Sequence, residues 1–424
     1  MPGRTNPAIP ALMTAGLVLL CAAPLGAELW SEFRGPTGQG LSSATGLPER
    51  WSDWQNVRWK QPVPGHGWST PVLVGTRLLL TTAVETNPGK DKTDRSLRAL
   101  CLATDTGETL WDVEVFLQDG NRAAKIHKKN SHASPTPIYQ EGKLYVHFGH
   151  DGTACLDARD GRILWKQTSL RYQPVHGNGG SPIIVDGNLV LSCDGAKDPF
   201  VVALDKKTGA VVWKTMREIE VKQPFSFSTP LLIEVDGKRQ IISAASGAVC
   251  AYDPETGKEI WRCRYGKGYS VVPRPSYAHG LLYVCTGFNT AHLLAIRPDG
   301  RGDVTDTHIS WEHKKAVPKN SSPIVVDDLL FMVDDKGVAS CLDAISGEVR
   351  WQERLRGNFS ASPIYADGVL FFPSEEGKVH LIEAGDRFRS LGTNEMNERI
   401  FATVVPADGT LYIRGEENLF RVGR

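Results

Sequence analysis

The chain has 424 residues, and 48 lysine and arginine residues balance 48 aspartate and glutamate residues, so the formal net charge at pH 7 is zero. Without a basic excess to neutralise phosphates, the composition argues against a nucleic-acid-binding protein. The 42 glycines and 26 prolines indicate many turns, and 41% apolar residues suffice for a large core. This composition excludes a disordered chain, a collagen-like chain and a polytopic membrane protein.

The N-terminus has the features of an export signal. Arg4 supplies a positive charge, residues 11–23 are apolar, and Leu25–Ala27 offers a cleavage site before Glu28. The apolar stretch is shorter than the ~20 residues that span a bilayer. We therefore predict a signal peptide over residues 1–27, an exported protein in the periplasm or cell envelope, and no transmembrane span in the mature chain.

The cysteines raise two further questions. Cys21 could be lipidated, but Leu20 precedes it where a lipobox has a small residue, and the choice between cleavage and lipidation stays open. The later cysteines show no CxxC or CxxCH spacing, which argues against zinc and haem sites. Since three of them open the same repeated phrase, we expect buried, reduced strand thiols. The seven are Cys101, Cys155, Cys193, Cys250, Cys263, Cys285 and Cys341.

Two phrases alternate along the chain. The first, A-x-D-x-x-T-G-x-x-x-W, is clearest at Ala203–Trp213 and Ala251–Trp261, and variants of it run over 101–111, 155–165 and 341–351. Its glycine suits a tight turn between two short apolar strands. The second phrase is an apolar strand, a turn and another apolar strand. It begins at Ser69, Ser134, Ser181, Ser228, Arg274, Ser322, Ser362 and Val404.

These repeats predict an all-β fold, because no long stretch has helical periodicity. Eight hairpins, each followed by two more strands, describe an eight-bladed β-propeller of four-stranded antiparallel blades. The last blade has only three strands at the C-terminus, and Val57–Lys60 supplies a strand that lacks a preceding hairpin. We therefore predict that the N-terminal strand closes the ring, with an extension over residues 28–56 and the propeller over residues 57–424.

The first phrase resembles the tryptophan-docking motif of pyrroloquinoline quinone (PQQ) repeat propellers. That family includes quinoprotein alcohol dehydrogenases and BamB-type outer-membrane assembly lipoproteins, and the similarity covers residues 57–422. The segment Trp30–Gly40 is similar to the leader of PQQ-like propeller proteins of planctomycete-type bacteria. We expect this segment to drape over the ring, pinned by Trp30, Trp51 and Trp54. The repeat tryptophans are expected to pack between blades, and the repeat aspartates to cap turns.

The residues just before each innermost strand should converge on the central channel. They form either a water-filled polar funnel or a pocket for an anionic or carbonyl-rich ligand, such as a quinone tricarboxylate or a sugar acid. No metal site is predicted, because the histidines come from different blades without ligand spacing. The candidate ligand-binding residues are His66, Asn130, His132, His176, Asn178, Arg274, Lys319, Asn320 and Asn358.

The resemblance implies two functions. PQQ-dependent dehydrogenases hold calcium with acidic and amide oxygens beside a catalytic aspartate, and many stack the quinone on a disulfide between adjacent cysteines. Here no cysteines are adjacent, and the segments before the innermost strands contain no carboxylate, so no catalytic residue can be assigned. We predict an exported, non-catalytic scaffold or binding protein without a cofactor, with a protein or glycan partner in the cell envelope. The alternative is a PQQ-dependent alcohol or sugar dehydrogenase that binds PQQ with calcium.

Overall fold

The computed structural model describes residues 30–89, 92–289 and 291–423. These residues form 33 β-strands in eight sheets and a short 3-10 helix at Gly149–Asp151. This confirms the predicted all-β, eight-bladed propeller. Among these residues no helix is long and apolar enough to cross a membrane. The predicted signal peptide and Cys21 lie outside the described residues.

Each blade is a meander whose first strand lies at the channel and whose fourth lies at the rim. Blade 1 contains β2 (Val72–Val74), β3 (Arg77–Glu85), β4 (Arg95–Ala103) and β5 (Thr109–Gln118). Blade 2 contains β6 (Ile138–Gln140), β7 (Lys143–His147), β8 (Thr153–Asp157) and β9 (Ile163–Gln167). Blade 3 contains β10 (Ile183–Val185), β11 (Asn188–Cys193), β12 (Phe200–Asp205) and β13 (Val211–Met216). Blade 4 contains β14 (Leu231–Val235), β15 (Lys238–Ala244), β16 (Ala248–Tyr252) and β17 (Glu259–Arg264).

The second half of the ring repeats this order. Blade 5 contains β18 (Ser276–Ala278), β19 (Leu281–Cys285), β20 (Leu293–Ile296) and β22 (Ile309–His313), and β21 (Gly302–Asp303) lies between the last two. Blade 6 contains β23 (Ile324–Val326), β24 (Leu329–Val333), β25 (Val338–Asp343) and β26 (Val349–Arg354). Blade 7 contains β27 (Ile364–Ala366), β28 (Val369–Pro373), β29 (Lys378–Glu383) and β30 (Ser390–Glu395). Blade 8 contains β31 (Val405–Ala407), β32 (Thr410–Arg414), β33 (Asn418–Gly423) and β1 (Val57–Pro62).

The two ends of the described chain meet in blade 8. Strand β1 pairs antiparallel with β33, with Val57 opposite Val422 and Pro62 opposite Asn418. This pairing confirms the predicted closure by the N-terminal strand. It gives blade 8 its fourth strand, so no blade of the ring is left incomplete.

Tryptophans of the outer strands hydrogen-bond most blades directly to the next one. The indole nitrogen of Trp111 donates to the carbonyl oxygen of Ala158 at 3.2 Å, in the last turn of the following blade. The glycine of that turn leaves room for the ring, because a Cβ on Gly161 would come within 2.8 Å of Trp111. Equivalent hydrogen bonds to the turn carbonyls of the next blade are donated by Trp59, Trp165, Trp213, Trp311 and Trp351.

Blade 4 differs from the predicted pattern in one respect. The lengthened turn of blade 5 contributes β21, which adds a short parallel strand to the outer edge of blade 4. The indole of Trp261 donates to Gln240 Oε1 at 2.7 Å, and Gln240 Nε2 donates to the Pro298 carbonyl at 3.1 Å. A side-chain amide therefore relays the contact between the blades that a direct hydrogen bond makes elsewhere.

Blade 7 has no tryptophan in its outer strand. Gly392 pairs with Leu381 at the position where Trp351 pairs with Cys341 in blade 6. In most of the other blades this tryptophan hydrogen-bonds to the turn between the last two strands of the next blade. Blade 8 has no such turn, because its outer strand β1 comes from the N-terminal part of the chain. Trp51 packs instead into the core shared by blades 7 and 8, and its backbone N–H donates to Asn394 Oδ1 at 3.0 Å.

Within the predicted extension, residues 30–41 lie across one end of the channel, and residues 42–56 continue along blades 7 and 8. Trp30 forms an antiparallel bridge with Leu73 in blade 1, and the Gly40 carbonyl accepts a hydrogen bond from Tyr365 in blade 7. Trp30 is fully buried, as its proposed pinning role requires. The prediction for Trp54 was wrong, because its side chain is 79% exposed and packs against no core.

The cysteine prediction is confirmed for the described chain. All seven cysteines there are buried, and none forms a disulfide. Burial raises the pKa of Cys101 to about 11 and that of Cys250 to about 12, so neither forms the reactive thiolate at neutral pH.

We predict that Trp51→Ala lowers the free energy of unfolding by about 3–5 kcal/mol, because it empties a large buried site between blades 7 and 8. Trp54→Ala is the matched control, and it should change stability by no more than about 0.5 kcal/mol. Equilibrium denaturation of both variants measures the difference. Equal effects of the two substitutions would show that Trp51 does not replace the missing tryptophan of blade 7.

Candidate functional site

A ring of hydroxyl groups surrounds the channel at the start of the innermost strands. The backbone N–H of Thr70 donates to Thr136 Oγ1 at 3.0 Å, and that of Thr136 donates to Ser181 Oγ at 2.9 Å. Each such bond links one blade to the next. The same pattern continues at Ser181, Ser322 and Thr403, and Arg274 takes the hydroxyl position in blade 5.

Above this ring lies a cavity of about 400 Å³. Its walls come from the loops that enter the innermost strands, so each blade presents side chains to the same space. Phe33 of the N-terminal segment also lines the cavity. Because residues 30–41 cross the channel beyond the hydroxyl ring, the cavity is a funnel that is closed at its inner end.

Aromatic rings form most of one wall. His176 contacts His127 and Phe225, in each case with ring centroids 5.6 Å apart. Tyr269 continues the series to Phe288 over the same distance. On the opposite side Trp68 lies against Phe401 at 4.6 Å. Such walls provide flat apolar faces for a ring-shaped ligand.

One lysine in this wall forms no ion pair with any residue that the structure describes. Lys319 Nζ lies 5.0 Å from the centroid of the Phe288 ring, and among the described residues it forms no ion pair. By contrast, Lys129 Nζ is paired with Glu375 Oε1 at 2.7 Å. Lys319 is therefore the cation that remains available to an anionic group in the cavity.

Two carboxylates at the cavity were missed by the sequence analysis. Asp335 accepts hydrogen bonds from the Asn320 side chain at 2.6 Å and from the Lys319 backbone at 2.9 Å, and Glu375 accepts one from Ser360 at 2.6 Å. Both acids occupy the same place in the turn after the second strand, in adjacent blades. The sequence signal for them is their shared position, because each acid follows the last residue of the second strand by two positions.

Two buried arginines lie under the cavity. Arg274 donates to the Phe33 carbonyl at 2.7 Å, and Glu32 lies 3.5 Å from it. Arg34 is fully buried and donates to the Pro323 carbonyl at 2.9 Å. Burial and the neighbouring Arg274 lower the pKa of Arg34 to about 9. Two guanidinium groups face a single carboxylate here, so the inner end of the channel carries positive charge.

The structure brings four of the nine predicted residues to the cavity: Asn130, His176, Lys319 and Asn320. The other five lie elsewhere. His66 and His132 share a separate surface depression with Glu85 and Arg95. The Asn178 side chain bonds to Tyr172 and Phe148, Asn358 bonds to Glu376, and Arg274 lies beneath the floor. The side chains of Asn178 and Asn358 are engaged by protein groups outside the cavity, in a neighbouring blade for Asn178 and in the same blade for Asn358.

The cavity fits the ring of a quinone better than it fits calcium. Within residues 30–89, 92–289 and 291–423, no three His, Cys, Asp or Glu side chains are grouped to hold a metal ion. Both carboxyl oxygens of Asp335 already accept hydrogen bonds, and Glu375 is paired with Lys129. The residues present therefore offer flat walls and a cation, but no free carboxylate cradle.

Fold and cavity together define a repeat propeller with a closed central funnel. The family model described as outer membrane protein assembly factor BamB matches residues 94–298 and 290–389. The chain belongs to this family of PQQ-like repeat β-propellers.

Similar proteins differ widely in activity. A quinohemoprotein alcohol dehydrogenase, ADH-IIG of Pseudomonas putida, is 31% identical over 135 residues, which are 30% of this chain and 19% of that protein. Tetrathionate hydrolase of Acidithiobacillus ferrooxidans is 23% identical over 293 residues, which are 65% of this chain and 51% of that protein. The chain thus matches about a fifth to a half of the length of these curated relatives.

The solved structure of BamB from Moraxella catarrhalis superposes with a TM-score of 0.59 at 13% identity. The superposition covers 86% of this chain and 99% of that one. At this identity the likeness shows the fold alone.

The lowered pKa values of two histidines outside the cavity, His132 and His147, indicate that the fold is sensitive to acid. Burial lowers the pKa of His147 to about 4, and burial with nearby positive groups lowers that of His132 to about 4. Both bind a proton more readily when unfolded, where the pKa is ~6.5. Stability should therefore fall as the pH drops from 6.5 towards 4, by up to about 3 kcal/mol for His147.

Thermal unfolding between pH 7.5 and 4 measures this dependence, with His147→Gln as the variant that lacks the buried imidazole. Its melting temperature should fall less steeply on acidification than that of the wild type. Parallel pH profiles would show that His147 does not contribute.

Proposed function

We propose that this protein is an exported, non-catalytic binding protein that holds a small anionic ring compound in the funnel. The observation that carries the proposal is a closed, aromatic-walled cavity that contains an unpaired ammonium group, that of Lys319. A channel that served only to hold water would need no continuous aromatic wall. Arg34 and Arg274 make the inner end of the channel positive, and this charge also favours an anionic ligand.

A role without catalysis is supported by the state of the acidic groups. A carboxylate that acts as a general base must have an oxygen within hydrogen-bond reach of the ligand. Asp335 is held by Asn320 and the Lys319 backbone, and Glu375 by Lys129 and Ser360. Both acids therefore serve to shape the mouth of the funnel.

We further propose that the partner is a protein or glycan of the cell envelope. BamB from Moraxella catarrhalis has the same ring, and the matching family is described as an outer-membrane assembly factor. The charged insertions 85–95 and 117–129 are candidate contact surfaces, because their described residues 86–89, 92–94 and 119–129 lie outside the strands and loops commonly carry recognition. Export itself rests on the composition of residues 1–27.

The alternative function, a PQQ-dependent dehydrogenase, is favoured by one observation. The matched alcohol dehydrogenase of Pseudomonas putida is a quinohemoprotein, and the flat walls between His176 and Phe288 suit a planar ring. A quinone would supply a two-electron acceptor. In this chain Lys319 would pair with one of its carboxylates.

We predict that ring carboxylates bind more tightly than their uncharged analogues. Titration calorimetry with galacturonate against galactose, and with PQQ, measures the preference. Lys319→Gln should weaken binding of the acid about tenfold, because it removes one charge-assisted hydrogen bond. Lys207→Gln, on an exposed turn, is the matched control and should leave binding unchanged.

Acids that bind no more tightly than neutral compounds would contradict the anionic site. The same preparation supplied with PQQ and Ca²⁺ should not reduce an acceptor dye with alcohols or aldoses. Turnover that is lost in Lys319→Gln would establish the dehydrogenase instead.

A further inference from the structure

The loop that connects blade 1 to blade 2 lies at the open end of the funnel. We define residues 119–130 as the mouth loop. On its own side of the channel it is held mainly near its two ends. The Gly120 N–H donates to Asp94 Oδ1 at 2.9 Å, and the Asn130 side chain accepts from Ser134 Oγ at 2.6 Å. The His127 N–H and the Asn130 side chain also donate to the His176 carbonyl, at 3.3 and 2.8 Å. The His127 ring also packs edge-on against His176. This attachment is slight for a segment of this length.

A second attachment reaches across the channel. Lys129 Nζ lies 2.7 Å from Glu375 Oε1, 3.3 Å from Ser360 Oγ and 3.8 Å from Asp335 Oδ2. The mouth loop leads into blade 2, whereas Asp335 belongs to blade 6 and Glu375 to blade 7. In a ring of eight blades, blades 2 and 6 are opposite, so the Lys129 side chain spans the opening.

The groups at both ends of this span also line the cavity. His127, Lys129 and Asn130 line it from the loop side, and Asp335 and Ser360 line it from the far side. A ligand that enters the funnel must therefore pass the Lys129 side chain. The ion pair is partly exposed, with 23% of the Lys129 and 13% of the Glu375 side chain accessible, so it can be broken and reformed.

We propose that Lys129 is a latch that holds the mouth loop closed over the funnel, and that its release admits the ligand. The role as a gate rests on the proposed function, because a gate requires a ligand. An anionic ligand competes with Glu375 for the Lys129 ammonium, so binding and loop movement are coupled. Opening is a local event that leaves the blades intact, because the loop contributes no strand to any sheet.

The latch can be tested without a known ligand. Val272 lines the cavity, and the native cysteines of the described chain are buried, so Val272→Cys introduces a reporter thiol inside the funnel. Its rate of modification by an anionic methanethiosulfonate measures how often the mouth opens. Lys129→Met in this background should raise the rate about tenfold, whereas Lys128→Met, the exposed neighbour, should leave it unchanged. High salt should accelerate labelling only where Lys129 is present.

Equal labelling rates in the Lys129→Met and Lys128→Met proteins would overturn the latch while leaving the binding proposal intact. If the reporter variant does not fold, acrylamide quenching of Trp68 provides a second measure, with Trp68→Phe as the blank. Stronger Trp68 quenching in Lys129→Met than in Lys128→Met supports the latch, and identical quenching refutes it. If no anionic ring compound binds but Lys129→Met is still labelled faster than Lys128→Met, the proposed ligand is refuted and the movement of the mouth loop is established.

Discussion

A ring of blades is complete only when the first and last strands of the chain share a sheet. The pairing of β1 with β33 satisfies this constraint, and much of the remaining structure depends on it. Because β1 and β33 are not consecutive in the chain, blade 8 has no turn between its last two strands. A tryptophan in the outer strand of blade 7 would therefore have no turn carbonyl to which it could donate a hydrogen bond. Gly392 takes its place in blade 7, and Trp51 from the preceding segment fills the shared core.

The segment before β1 closes the inner end of the funnel. Residues 30–41 cross the channel from Trp30 at blade 1 to Leu41 at blade 7. That path brings Phe33 into the floor of the cavity and buries Arg34 close to Arg274. The segment completes the fold and also sets the charge at the inner end of the funnel.

Proteins that share this ring act in different ways, since the matching family is described as an assembly factor and the curated relatives include a dehydrogenase and a hydrolase. The contacts between the outer parts of the blades are made by tryptophans and turn glycines that lie far from the cavity. Function therefore depends on the few side chains that line the channel. In this chain those are an aromatic wall, an unpaired Lys319 and carboxylates that are already hydrogen-bonded.

The sequence by itself determined the strands, the number of blades and the closing strand, because each repeat is a local pattern of turn glycine and apolar residues that recurs in every blade. It also determined that Asp205 and Asp343 cap turns, since the backbone N–H groups that donate to their carboxylates lie within a few residues of them. Only the tertiary structure decided which polar residues share the cavity. Asp335, Glu375 and Lys129 are far apart in the chain and meet because opposite blades face one axis, so no local pattern could place them together. For the same reason the sequence did not distinguish Trp51, which is 3% exposed, from Trp54, which is 79% exposed. Their burial depends on which side of the segment faces blades 7 and 8.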